Sequence, residues 1–417
     1  MKFRLPYGKT YQELTIPNEF SVEVISNSKQ QKTPNFKQLA SKAFSQPLLS
    51  PPLEDIATAG DSVVIVVDDH TRPCPTKQLL PIVLKNLKKA GVSKTDITIL
   101  IGTGTHTPPT RDKLIELLGK QIIHEYNVIS NDNQNSPYVS VGRSSFDHDI
   151  QLHETYVHAD IKIVISDIEY HYFAGYGGTR KSILPGIASA ETIQQNHAMM
   201  FNEYATTGEL RRNPISIEMQ EAFDFVGCDF MIGAVLNQTH DIVGLWTGDA
   251  KKVMDHGVQM VDTLFTKKIS KKPDVIITAA DGFPHDINLY QSLKAVHTAS
   301  KVIRDDGSIM LAASCDEGVG NIVYQKWLKK YSTAKEIKQA LRSVFQIGAH
   351  KAYYHREIIE RCSVFLSSSF NSNFVENNLG FIHLDQIQEG IDNLISSEKE
   401  VDHILVVSQG STTRIVL

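Results

Sequence analysis

Cysteine is scarce in this sequence: Cys74, Cys228, Cys315 and Cys362 are the only four in 417 residues, and they stand far apart. None belongs to a C-x-x-C pair, which argues against a zinc knuckle or a dithiol redox motif. Scattered thiols, and no apolar stretch after Met1-Lys-Phe-Arg-Leu-Pro, lead us to expect a reducing cytoplasm. No run of about 18 apolar residues occurs, so no membrane-spanning helix is expected. Blocks of one charge are also missing. The 42 Lys+Arg and 47 Asp+Glu leave a net charge of -5, and no basic stripe carries interleaved aromatics. Nucleic acid is therefore not an expected partner. An anionic small substrate has to be held by a few placed cations rather than by a general field. Neither internal repeats nor low-complexity tracts are found.

What is present is 41% hydrophobic residues, enough for well-filled cores, in a chain long enough for two or three domains. The first fifty residues are mixed. Leu14-Thr-Ile-Pro and Val22-Glu-Val-Ile read as short strands that could form a hairpin, and residues 26–33 as a polar loop. A regular alternation follows. Asp61-Ser-Val-Val-Ile-Val-Val-Asp, Asp96-Ile-Thr-Ile-Leu-Ile and Asp160-Ile-Lys-Ile-Val-Ile-Ser read as buried strands. Residues 77–90 and 111–118 have helical spacing between them. A second alternation begins near Asp274-Val-Ile-Ile-Thr and runs through a helix at 287–303 to His403-Ile-Leu-Val-Val. This pattern predicts an α/β protein of two lobes with mainly parallel sheets and an interdomain cleft. The charged stretch Lys267-Lys-Ile-Ser-Lys-Lys-Pro marks the expected boundary, giving domains 1–268 and 269–417.

Ligands of open α/β sheets sit beyond the carboxyl ends of the strands. Three strands of the first lobe end in polar sequences there: Asp68-Asp-His-Thr-Arg-Pro73, Gly102-Thr-Gly-Thr-His106 and Ser166-Asp-Ile-Glu-Tyr-His171. Each delivers a His or Arg to one rim. Asp, Thr and Gly are also ordinary loop and cap residues, but three such loops together point to a site. The third runs into Ala174-Gly-Tyr-Gly-Gly-Thr-Arg-Lys-Ser182. This superficially resembles a Walker A loop, but Arg180 stands where the second glycine is needed beside Lys181. Three glycines with a lysine still suit close backbone approach to a phosphate-bearing ligand. A helix over about 188–200, capped by Ser189, carries His197. No second histidine at i+4 supports a zinc pair, so a single His ligand requires other donors. In the second lobe, Tyr290 and Lys294 share a helix face and Gln291 borders it.

In this order the motifs resemble the lactate racemase family, the 2-hydroxy-acid racemases and epimerases with a nickel-pincer cofactor. The most specific segments are Asp69-His-Thr-Arg-Pro, Gly104-Thr-His106, His171-Tyr-Phe-Ala-Gly, Arg180-Lys-Ser-Ile-Leu-Pro-Gly-Ile-Ala-Ser and Tyr290-Gln-Ser-Leu-Lys294. The resemblance implies that Lys181 carries a covalent pyridinium-3,5-bisthiocarboxylic acid mononucleotide holding nickel(II), with His197 as the fourth nickel ligand. It further implies that His106 and His171 are the acid–base pair, and that Asp69, His70, Thr71 and Arg72 border the cofactor. Arg72, Tyr290, Gln291 and Lys294 would contact substrate. Cofactor-assembly enzymes would be transient partners. Soft sulfur donors plus imidazole suit nickel(II). Two features depart from the lactate enzymes. The loop reads Gly-Gly-Thr-Arg-Lys where Ser-Gly-Gly-Arg-Lys is usual, and a pocket tryptophan has no counterpart near Ala349-His-Lys351. The substrate class therefore extends from lactate to malate or similar acids, with sugar acids also open. Two alternatives are a dehydrogenase using free NAD and a cofactor-less carboxylate-binding homologue. Gly102-Thr-Gly104 supplies too little of a dinucleotide fingerprint for the first. Lys181, His197, His106 and His171 together argue against the second.

Overall fold

Five consecutive β-branched residues, Val63 to Val67, are each no more than 2% exposed. Such a run belongs to a strand covered on both faces, which in practice means a parallel sheet flanked by helices. The computed structural model, which describes residues 1–25, 33–237, 239–343, 345–396 and 401–417, places it so. The six-stranded sheet has the order Ile242–Gly248, Phe230–Leu236, Ile161–Asp167, Val63–Asp68, Ile97–Gly102 and Asn127–Ser130. All neighbours pair in parallel except the first two, which are antiparallel. Helix Thr76–Lys89 packs Leu79, Leu80, Val83 and Leu87 into one core with the strand residues Ile65, Val67, Ile99 and Ile163.

From Val63–Asp68 the chain winds outward through Ile97–Gly102 to Asn127–Ser130. From Ile161–Asp167 it winds the other way, through Phe230–Leu236. The winding thus reverses between the neighbouring strands that end at Asp68 and Asp167. At such a switch the two connections diverge and leave a crevice at the carboxyl ends.

A second six-stranded sheet, wholly parallel, has the order Ile382–Leu384, Ser363–Ser367, Ser308–Ala312, Val275–Ala279, Ile404–Val407 and Val22–Ile25. Helix Leu289–Ser300, close to the expected 287–303, follows Val275–Ala279 and bears Tyr290, Gln291 and Lys294.

The chain divides into a central unit, Gln31–Leu264, and a terminal unit, Met1–Gln30 with Phe265–Leu417. This differs from the expected 1–268 and 269–417 at the N-terminus. The break near residue 265 lies close to the expected one, but the first strands join the terminal unit. Val22–Ile25 pairs with Ile404–Val407, and Leu5, Leu14 and Ile16 enter its core. The hairpin also differs: Lys2–Tyr7 pairs with Thr10–Thr15, and Val22–Ile25 takes no part in it. Parallel pairing between residues nearly four hundred positions apart leaves no local trace in sequence. The loop expected at 26–33 falls, except for Thr33, outside the described residues. Among the described residues, no helix is long and apolar enough to cross a membrane.

Candidate active site

The strand ending at Asp68 passes directly into Asp69-His-Thr-Arg. Asp69 is only 2% exposed. Its Oδ1 accepts from the Thr71 hydroxyl at 2.6 Å and the Thr71 N–H at 3.2 Å, so the loop closes around the carboxylate. Its Oδ2 accepts from His106 Nδ1 at 2.8 Å. Burial alone would push the Asp69 carboxyl up. The hydrogen bond and charge of His106, the Thr71 hydroxyl and Arg72 outweigh it and hold the group below the usual value. A carboxylate on Nδ1–H leaves the neutral imidazole's lone pair on Nε2, the arrangement of an oriented general base. Half-buried His106 reaches this position because Gly104 N donates to Gly186 O at 2.9 Å, seating its loop on the lysine-bearing loop.

His171 is bound differently. Its Nδ1 accepts from the Ala174 N–H at 3.2 Å, which places the proton of the neutral ring on Nε2. The two histidines thus rest in opposite tautomers. Phe173 links His171 to His197, with edge-on ring contacts of 4.5 Å to the former and 5.1 Å to the latter. Asn213 holds this link by donating to Phe173 O at 2.7 Å.

Lys181 lies in the tight turn Thr179–Ser182. The turn needs glycine on both sides. A Cβ on Gly178 (φ +80°) would stand 2.6 Å from Asp167 O, and one on Gly186 would stand 2.0 Å from Ser182 O. Burial, and then repulsion by Arg72, pull the Lys181 amine down to about 8, against the opposing pull of Glu169, Asp68 and Asp167. His197, 4% exposed on helix Ala190–Ala198, is lowered to about 3 by burial and by Lys181, so its imidazole is neutral. The expected cap is present, with Ser189 Oγ accepting from Thr192 N at 3.3 Å.

At the ends of two strands, Val63–Asp68 and Ile161–Asp167, lies a cluster that the sequence motifs do not assign. Ligand atoms of Asp68, Cys74 and Asp167 lie within 4.8 Å of one another. Asp68 is raised to about 6 by burial, and Asp167 is raised further by burial, Glu169 and Asp68. Arg72 and Lys181 offset their charge. Arg72, assigned a substrate role from sequence, therefore also serves four carboxylates, Glu169, Asp167, Asp68 and Asp69. His70 is exposed. Arg180 is 3% exposed, yet its Nε and Nη2 have no protein acceptor among the described residues.

Asp69, Thr71, Arg72, His106, His171, Lys181 and His197 thus belong to the central unit, on the loops and the helix that follow three neighbouring strands. Tyr290, Gln291 and Lys294 lie in the terminal unit, Lys294 exposed and the other two half-buried. Near Lys294, Asp281 accepts from Ser411 N at 3.0 Å and from the Thr412 hydroxyl at 2.8 Å. Sequence reasoning missed Asp68 and Asp167 as a pair, although each is the last residue of its strand.

The lactate racemase N-terminal domain model matches residues 7–208, and the lactate racemase C-terminal domain model matches residues 268–415. The lactate racemase of Thermoanaerobacterium thermosaccharolyticum is 31% identical over 345 residues, spanning 81% of this chain and 80% of the relative. The chain belongs to the lactate racemase family. A second lactate racemase, from Lactiplantibacillus plantarum, is 28% identical over 385 residues, covering 90% of this chain and 89% of the relative. The solved lactate racemase apoprotein from T. thermosaccharolyticum superposes with a TM-score of 0.87 over 100% of both chains at 26% identity. A Thermotoga maritima protein, 16% identical with a TM-score of 0.67 over 93% of this chain and 99% of its own, shares the fold. As a member of the lactate racemase family, the chain is an enzyme of the isomerase class, a racemase.

Proposed function

We propose that this racemase interconverts the two configurations of a small 2-hydroxy carboxylate, lactate or a related acid such as malate, using a nickel-bearing pyridinium mononucleotide joined to Lys181. The observation that carries the reading is the pairing of Lys181 with His197. A lysine must be neutral to form a thioamide, and a histidine must be neutral to ligate a metal. Burial biases both groups that way. The unpaired, buried nitrogens of Arg180, next in sequence to Lys181, suit an anionic group on the same cofactor. Residues and group therefore fit. Lys181 would hold the organic part and His197 the metal. Cofactor-assembly enzymes would deliver the group, in a reducing cytoplasm.

When bound, that group supplies an electrophilic ring carbon that accepts hydride from Cα and returns it. The protein's own residues manage the protons. The Cα–H of a hydroxy acid is poorly acidic beside an ionised carboxylate, so it leaves more readily as hydride while a base takes the hydroxyl proton. His106, with its lone pair on Nε2, takes that proton from one enantiomer. The product is a planar 2-keto acid. Its other face presents the oxygen to the opposite side, where His171, with its proton on Nε2, donates. Arg72 is assigned to the substrate carboxylate. Lys294 is assigned to polarising the oxygen, and Tyr290 and Gln291 to further substrate contacts.

The test is Lys181→Ala, produced beside the cofactor-assembly enzymes. Intact mass should lose the adduct and chiral analysis should lose racemisation, while circular dichroism stays unchanged. Racemisation at the wild-type rate would refute the assignment.

A further inference from the structure

A carboxylate buried among helices needs a reason, since removing it from water costs several kcal/mol unless every lone pair is engaged. Glu218, in helix Pro214–Val226, is 0% exposed. Its Oε1 accepts from the Ser144 hydroxyl at 2.7 Å and from His148 Nδ1 at 2.7 Å. Its Oε2 accepts from Asn196 Nδ2 at 2.9 Å. The same amide nitrogen also donates to Ile215 O at 3.2 Å. Two acceptors on its NH₂ leave the Asn196 amide one orientation. Its Oδ1, in turn, lies 3.1 Å from His197 Nδ1. An amide oxygen can only accept, so His197 Nδ1 carries the proton. The lone pair of the neutral ring is then on Nε2.

From this chain of bonds we propose that Asn196 and Glu218 are positioning residues for metal binding. Glu218 pins the Asn196 amide, and Asn196 sets the tautomer and rotation of His197 so that Nε2 is its ligating atom. Metal-bound histidines commonly donate their second N–H to a carboxylate or carbonyl, which fixes the ring and raises its basicity. Here the carboxylate acts through an interposed amide. A leucine at 218 would remove the Oε2 acceptor and leave the Asn196 NH₂ held by Ile215 O alone. The presence of a carboxylate with three donors is thus accounted for by orientation rather than by packing. Ser144 and His148 complete its hydrogen bonds from the hairpin formed by Tyr138–Arg143 and Asp149–His153.

This inference rests on the reading of His197 as the nickel ligand, and the experiment separates the two. Asn196→Leu, the double variant Asn196→Asp with Glu218→Gln, and His197→Ala are each produced with the cofactor-assembly enzymes. Nickel content after dialysis against a chelator, the visible spectrum and the intact mass are measured. Asn196→Leu should keep the Lys181 adduct but bind nickel ~10- to 100-fold more weakly, with an altered spectrum. Asn196→Asp combined with Glu218→Gln, which restores a donor and an acceptor between the two side chains and still offers an acceptor to Nδ1–H, should retain nickel. Wild-type nickel content and spectrum in Asn196→Leu overturn the positioning role. If His197→Ala is equally unaffected, His197 as ligand is what has failed. Should Asn196→Leu not fold, or the cofactor not load, ¹⁵N-histidine spectra of the wild-type apoprotein decide, with His197→Ala giving the assignment. A proton on Nδ1 of His197 is expected, and a proton on Nε2 overturns the proposal.

Discussion

Asp69 has one oxygen for Thr71 and one for His106. Asparagine has a single oxygen. In Asp69→Asn, the Thr71 N–H and hydroxyl should claim that oxygen and turn the NH₂ toward His106 Nδ1. The ring would then carry its proton on Nε2 and lose its basic site. We expect kcat to fall about 10²- to 10⁴-fold with little change in stability, measured by chiral assay and thermal melting. A loss below threefold would mean that Asp69 does not set the tautomer. Asp281 supports a different prediction. Burial pushes its carboxyl up to about 6, against the Ser411 N–H, the Thr412 hydroxyl and Lys294. Its unfolded value is about 3.9. The folded state therefore binds more protons between these values, so stability falls as pH rises from about 4 to about 6 and levels off above. Asp281→Asn should remove that slope and stabilise the protein by about 1–3 kcal/mol at pH 7, visible in urea melts across pH 4–8. An unchanged slope would locate the titration elsewhere.

At the level of elements, the site depends on how one turn is packed. Segment Thr179–Ser182 presents Lys181 because Gly186 lets the chain fold back against Ser182 O. A methyl at 2.0 Å from that oxygen forces backbone movement. Gly186→Ala should cost about 1–3 kcal/mol and displace Lys181 and the His106 loop together, because Gly104 donates to Gly186 O. Loss of both the Lys181 adduct and activity in a folded protein is expected, read by intact mass and chiral assay. Normal loading would show that the turn tolerates the change. Much of this element level was legible in sequence. The glycines around Lys181, the Ser189 cap and the three polar strand ends are local chemistry, and local chemistry is written in consecutive residues. The Glu218–Asn196–His197 connection was not legible, because side chains 22 positions apart on separate helices meet only through packing.

Across the whole molecule, the terminal unit is built from both ends of the chain. Its sheet ends on Val22–Ile25, and its core includes Leu5, Leu14 and Ile16, each no more than 1% exposed. A fragment spanning 265–417 therefore lacks an edge strand and three core side chains, each worth about 1.5–3 kcal/mol of burial. That exceeds much of the 5–15 kcal/mol typical of a domain. The fragment should be unfolded or aggregated, while a fragment spanning 31–264 should melt cooperatively. Circular dichroism and thermal melts of both test this, and a cooperatively folded 265–417 would show that the N-terminal strands are dispensable.

By itself the sequence determined the α/β class, the parallel strands, the chemically capable loops and the membership that their motifs announce. Each of these is set by short-range pattern: β-branched runs, cap residues, glycines where backbone approaches backbone. Tertiary structure alone decided that Val22–Ile25 completes the sheet of the C-terminal segment, and that the winding reverses between Asp68 and Asp167. It also decided that His106 and His171 rest in opposite tautomers and that a buried glutamate stands behind His197. These are consequences of strand order and of hydrogen bonds between distant segments. Such bonds depend on where the chain returns, and residue identity does not encode that return locally.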